Sequence, residues 1–273
     1  MHKQFLLCCL VLTAVPAPVW AHDFWIQPAD ATPEVGAALD LGLFVGDHFK
    51  NEGPDRAYTG NRVDRFLVRS AAGELDLKPL TVENKRPYLR FTPDAPGGYL
   101  FGLQRTELRI ELEADRFNKY LVKEGVPLML KLRESYGEME QLGRERYTRH
   151  MKTYVRAQNG TKPSKDTQKV WGQTLGLTLE VIPLVDPTSR KAGEEIPVKV
   201  LYKDRPLESA QVSILSASGE STATTDAKGQ AVLSVPADGP MIIRLIHMHR
   251  CRECKTEEWR SYWASYWFDN TAR

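Results

Sequence analysis

The chain has 273 residues, 37 Lys and Arg against 35 Asp and Glu, a net charge of +2 and 42% hydrophobic residues. That length supports real cores in one large or two medium domains. Near-neutrality with mixed signs argues against a nucleic-acid surface or a polybasic membrane patch, so nucleic acid is not an expected partner.

The opening segment, residues 1–21, reads as a secretory leader. Lys3 precedes an apolar run from Phe5 to Val15, and Val19 and Ala21 supply the small residues of a cleavage site after Ala21. The run is too short to span a bilayer, so the expectation is a removable segment and a chain that does not span the membrane. Cleavage there makes His22 the first residue of HDFWIQP. A terminal histidine closes a chelate ring on one metal ion with its α-amine and its imidazole. The amine, with a pKa of about 7.7 to 8.0, gives way to metal near neutral pH.

From Phe24 to about Arg109 the pattern is that of a β domain, assigned to residues 22–110. Leu39, Leu41, Leu43 and Val45 alternate, and RFLVR, YLRF and GYLFGLQ follow as short strands between Pro/Gly turns. Residues 111–165 read as a helical segment. Phe117, Tyr120 and Leu121 share one helical face, Gly125 and Pro127 mark a break, and EMEQLGRERYTRHMKTYV is rich in i,i+4 charge pairs. On that reading His150 sits on a solvated helical face. From residue 170 to 273 the rhythm is again β, with Leu175, Leu177, Leu179 and Val181 alternating and four further apolar runs at hairpin spacing. SYWASYWF reads as a final strand buried on both faces. The expected fold is mainly β: two antiparallel β-sandwich domains, immunoglobulin- or transthyretin-like, with a helical segment between them.

The chemistry concentrates in histidines. His247 and His249 are two apart in a predicted strand, so both imidazoles address one side. Cys251 and Cys254 follow at once as CREC and, once the leader is gone, are the last cysteines of the chain. In an exported protein they read as a small disulfide loop or as a metal-binding pair, and a disulfide would remove both thiolates. His48 lies just past the alternating strand, beside Asp47, which either binds or orients the ring. The candidate metal ligands are therefore His22, His48, Asp47, His247, His249, Cys251 and Cys254. Nitrogen-rich ligation suits nickel, cobalt or copper, with zinc a further candidate. There is no GxSxG elbow, no HExxH and no Gly-rich phosphate loop, so no catalytic motif argues for an enzyme.

HDFWIQP, VGDHF, RFNKYLVKEGV, RERYTRHMKTYV, LGLTLEVIPLVDP and LYKDRPLESAQV…TTDAKGQ occur in that order. Together they resemble a bacterial periplasmic domain family of uncharacterised function, described as a periplasmic component of cobalt/nickel transport. Residues 198–236 are also similar to transthyretin-like or carboxypeptidase-regulatory β-sandwich modules. The resemblance implies a periplasmic metal handler that delivers nickel or cobalt to a membrane transport system, with His22, Asp23, Phe24 and Trp25 as a family-type mature start. Two other readings compete. A terminal histidine plus a second histidine on a β-sandwich resembles the histidine brace of copper monooxygenases and small copper carriers. A β-sandwich interaction module without metal is the other.

Overall fold

The computed structural model describes residues 23–47, 49–51, 56–160, 166 and 168–271. The predicted leader, His22 and His48 lie outside the described residues. In chain order the strands are β1 (Asp23–Pro28), β2 (Leu39–Asp47), β3 (Lys50–Asn51), β4 (Val63–Ser70), β5 (Gly73–Asp76), β6 (Leu89–Phe91), β7 (Gly97–Arg105) and β8 (Leu108–Leu112). Two helices follow, α1 (Ala114–Lys123) and α2 (Pro127–Ser135), and then the long strand β9 (Gly143–Ala157). The rest is β10 (Leu179–Pro183), β11 (Glu195–Tyr202), β12 (Arg205–Pro206), β13 (Gln211–Ser216), β14 (Gly219–Thr224), β15 (Gln230–Ser234), β16 (Pro240–Arg250) and β17 (Trp259–Asp269).

Nine strands form one central sheet in the order β14-β13-β16-β17-β9-β7-β4-β5, with β8 beside the first part of β9. Its pairings are antiparallel except where β17 runs parallel to β9, from Trp259 opposite Glu145 to Trp267 opposite Thr153. Two smaller sheets cover its faces, β1-β2-β3 with β6 on one side and β10-β11-β12 with β15 on the other. The helix pair packs on the first of these faces, against Trp259 and Trp263.

The alternating side chains explain the layering. Ile26, Leu41 and Leu43 meet Phe66, Phe101, Leu103, Met151 and Val155 in one core. On the opposite face Ile243, Leu245, Tyr262 and Tyr266 meet Val181, Val198 and Leu233. Both faces of β17 are therefore covered, as its sequence predicts, and nearly every residue from Trp259 to Phe268 is buried.

The mainly-β expectation holds, but the boundaries drawn from the sequence do not. Strands of both halves join in the central sheet, so residues 22–110 and 170–273 do not form two separate sandwiches. The helical segment 111–165 shrinks to α1 and α2. In α1, Phe117, Tyr120 and Leu121 are buried, Asp115 and Lys123 complement the helix dipole, and Gly125 takes φ +74° just past the end. Pro127 opens α2, where its missing N–H costs nothing. RERYTRHMKTYV is the core of β9 and not a helix. Its start at Gly143 is sterically required, because a Cβ there would sit 2.0 Å from the Phe117 ring.

Candidate metal centre

His247 and His249 project from the end of β16 with ring centroids 5.7 Å apart. They lie on the face that packs toward the second small sheet, because His247 is registered opposite Tyr262 of that core. Tyr202, at the end of β11, brings its ring to 4.5 Å from His247 and 6.5 Å from His249. Tyr262 lies 6.3 and 6.0 Å from the same two rings.

The hydrogen bonding prepares one nitrogen. His249 Nδ1 lies 2.9 Å from the Arg250 carbonyl oxygen. A carbonyl only accepts, so Nδ1 carries a proton, and in the neutral ring this leaves the lone pair on Nε2, the arrangement common among metal-binding imidazoles. Burial, His249 and the Lys203 ammonium push the His247 imidazole down to about 4, so its ring is neutral near pH 7. Lys203 also opposes any cation brought to this pair.

His150 reaches the same neighbourhood from β9. It is 1% exposed, stacks 6.1 Å from Tyr262, and contacts the Trp263 carbonyl through Nδ1 at 3.1 Å. Its Nε2 is buried and has no hydrogen-bond partner among the described residues. Burial pushes this imidazole down to about 4 as well. The solvated helical position expected for His150 is thus corrected to a buried strand position. Tyr202 carries no mark in the sequence, since nothing local identifies a tyrosine that will face a histidine 45 positions further along the chain.

Cys251 and Cys254 are joined in a disulfide. The ligand reading of these residues is corrected on that ground: a disulfide offers no thiolate. The bridge instead closes the turn beyond β16, where the Cys251 N–H also donates to the Glu258 carbonyl at 2.8 Å.

Asp47 ends β2 and forms an ion pair with Lys123 of α1. Asp23, the residue after His22, opens β1 opposite Gly46 and binds Arg244 of β16 at 2.6 Å, while Arg244 also pairs with Glu124. The described neighbours of His22 and His48 therefore meet at one end of the β1–β2 ladder. That end is on the other side of the central sheet from the β16 histidines. Arg244 and His247 are three residues apart in one strand, and an odd spacing sends side chains to opposite faces. Among the described residues no group of three or more His, Cys, Asp or Glu side chains is placed to hold a metal. The pair His247/His249 is a two-nitrogen element that needs ligands from elsewhere.

Fold and site together define a three-layer, mainly-β protein with a histidine pair at a sheet end. The chain belongs to the family described as Domain of unknown function (DUF4198), whose model matches residues 19–249. Comparison with curated proteins gives no match. Among solved structures, the chain is similar to one described under host cell surface retention of a 1.5-MDa bacterial ice-binding adhesin, at 11% identity and a TM-score of 0.23. It covers 89% of this chain and 62% of that one. The fibronectin(III)-like modules of CbhA from Clostridium thermocellum align at 10% identity and a TM-score of 0.20, over 91% and 96% of the two chains. The D00-D0 domain of intimin aligns at 13% and 0.19, over 90% and 99%. Scores this low carry no argument. No helix among the described residues is long and apolar enough to cross a membrane.

Proposed function

We propose that this protein is a periplasmic carrier of a divalent transition metal, nickel, cobalt or copper, which it holds through His247 and His249 and passes to a membrane uptake system. The observation that carries the reading is the prepared pair. Two imidazoles face one side, 5.7 Å apart, and the Nδ1 bond of His249 leaves its Nε2 for the ion. Metal–nitrogen bonds of about 2.0 to 2.1 Å place such rings around a single ion after small rotations. Two protein nitrogens leave most coordination positions open, which suits exchange with a partner better than storage. The amine and imidazole of His22, with His48 and Asp47, form a second proposed element, separate from the first.

Calorimetry with Ni(II), Co(II) and Cu(II) on protein whose N-terminus is confirmed as His22 tests the assignment. His249→Ala is expected to weaken binding by about tenfold or more, since one of two anchoring imidazoles is lost. Binding no tighter than about millimolar for all three ions would overturn the metal reading. Binding unchanged in the His247→Ala/His249→Ala variant, but lost when one residue is added before His22, would move the site to the N-terminal element.

A further inference from the structure

A cavity of about 320 Å³ lies between the β1–β2 sheet and the central sheet. Arg105, at the end of β7, and Arg149, in β9, line it on the inside, and the exposed Arg56 and Arg62 stand at its rim. Leu43, Val45 and Leu103 give it an apolar wall, and among the described residues none that lines it is a carboxylate.

The two inner guanidiniums are held by stacking. Their carbons sit 5.1 and 5.0 Å from the centroid of the Phe24 ring. Arg149 lies also 5.5 Å from Tyr147 and 5.3 Å from Trp263. Stacking occupies the faces of a guanidinium and leaves its N–H edge for a forked hydrogen bond. The Nε of Arg149 is buried without a hydrogen-bond partner among the described residues. Elsewhere in the molecule half-buried arginines meet carboxylates: Arg244 with Asp23 and Glu124, Arg146 with Glu107 and Glu257, Arg250 with Glu138. In the cavity two cations share one aromatic ring, and stacking offsets only part of the cost of desolvating them. Burial and repulsion from Arg149 push Arg105 down to about 10.

We propose that this cavity binds a small multivalent oxyanion, a di- or tricarboxylate or a phosphate, gripped by Arg105 and Arg149 with Arg56 and Arg62 steering it in. The site is independent of the histidine pair. Arg149 and His150 are neighbours in β9, so they address opposite faces of the sheet. Two cationic forks closing on one ligand match a ligand with more than one oxyanion charge, and the apolar wall accommodates a short carbon skeleton.

Calorimetry of the full processed chain against citrate and against inorganic phosphate tests this. Saturable one-site binding of at least one probe is expected, and the preferred probe decides between carboxylate and phosphate. Arg105→Gln and Arg149→Gln are each expected to weaken binding by about tenfold or more, and exposed Arg62→Gln by about threefold. Failure of both probes to saturate below about 10 mM would overturn the proposal, as would affinities unchanged in all three variants. Thermal denaturation without multivalent anions gives a readout that folding defects cannot imitate. A binding role predicts that Arg105→Gln raises the midpoint by relieving repulsion, and a lowered midpoint would mark the arginines as structural and sink the idea.

Discussion

Glu145 shows how a single buried group couples this fold to pH. It is 1% exposed, at the interface of β9 with α1, and one of its oxygens accepts from Ser261 Oγ and from the Tyr120 hydroxyl, the latter at 3.1 Å. No cation among the described residues pairs with it directly, and burial pushes its carboxyl up to about 7. The folded protein thus holds a proton that the unfolded chain has released above about 4.5, and this contribution to stability is present at low pH and lost as pH rises through 7. His150 works in the other direction: its imidazole is held down at about 4, so its contribution is present above 6.5 and lost on acidification. Glu145→Gln keeps the accepting oxygen and makes the proton permanent. Urea denaturation should find the variant equal to the parent at pH 4 and more stable by about 3 kcal/mol at pH 8, from a shift of some 2.5 units at 1.36 kcal/mol each. A constant difference across that range would show that the carboxyl does not titrate with folding.

At the scale of the element, β9 is the strand the sequence concealed. Its RERYTRHMK core looks like a charged helix because charge is assumed to mean solvent, yet Glu145, His150 and Lys152 are all buried. Each is handled individually by the layers on either side. Lys152 Nζ donates to Glu180 at 2.8 Å and to the Gln173 carbonyl at 2.9 Å, while Glu180 accepts the N–H groups of Leu175 and Leu177. This pair ties the central sheet to the second small sheet. Lys152→Met should cost about 3 to 5 kcal/mol in chemical denaturation, because Glu180 would be left buried without its cation; a cost under about 1 kcal/mol would mean that water or a rearranged carbonyl replaces it. The elements that were legible, among them β2, β4, β7, α1, β11, β16 and β17, are those where apolar residues set the pattern. The His247/His249 pair was legible for the same reason, since i and i+2 in a strand share a face whatever surrounds them. The arginine cavity was not, because Arg105 and Arg149 are 44 positions apart and only the β7–β9 pairing brings them together. The disulfide was one of two readings of CREC, and spacing could not choose between them.

For the whole molecule, the decisive join is the parallel contact of β17 with β9. Parallel neighbours need a long crossover, and here the crossover contains the entire second small sheet with β13, β14 and β16. The first strand depends on the same join: Ser265 Oγ of β17 donates to the Phe24 carbonyl, and Arg244 holds Asp23. A chain ending at Glu258 would lose β17 and split the central sheet between β16 and β9. It is expected to lack cooperative unfolding by circular dichroism and to be digested by protease under conditions the full chain survives. A folded, resistant fragment spanning residues 23–157 would show instead that the first half stands alone.

The place of β17 in the chain also sets a clock. At about 5 to 20 residues per second, synthesis of the hundred or so residues between β9 and β17 takes roughly 5 to 20 s. Through that interval one long edge of β9 has no strand to pair with, and an open edge is a template for any other extended chain. The hazard is therefore greatest before β17 is made, and whatever escorts the nascent chain must cover that edge until Trp259 to Trp267 arrive.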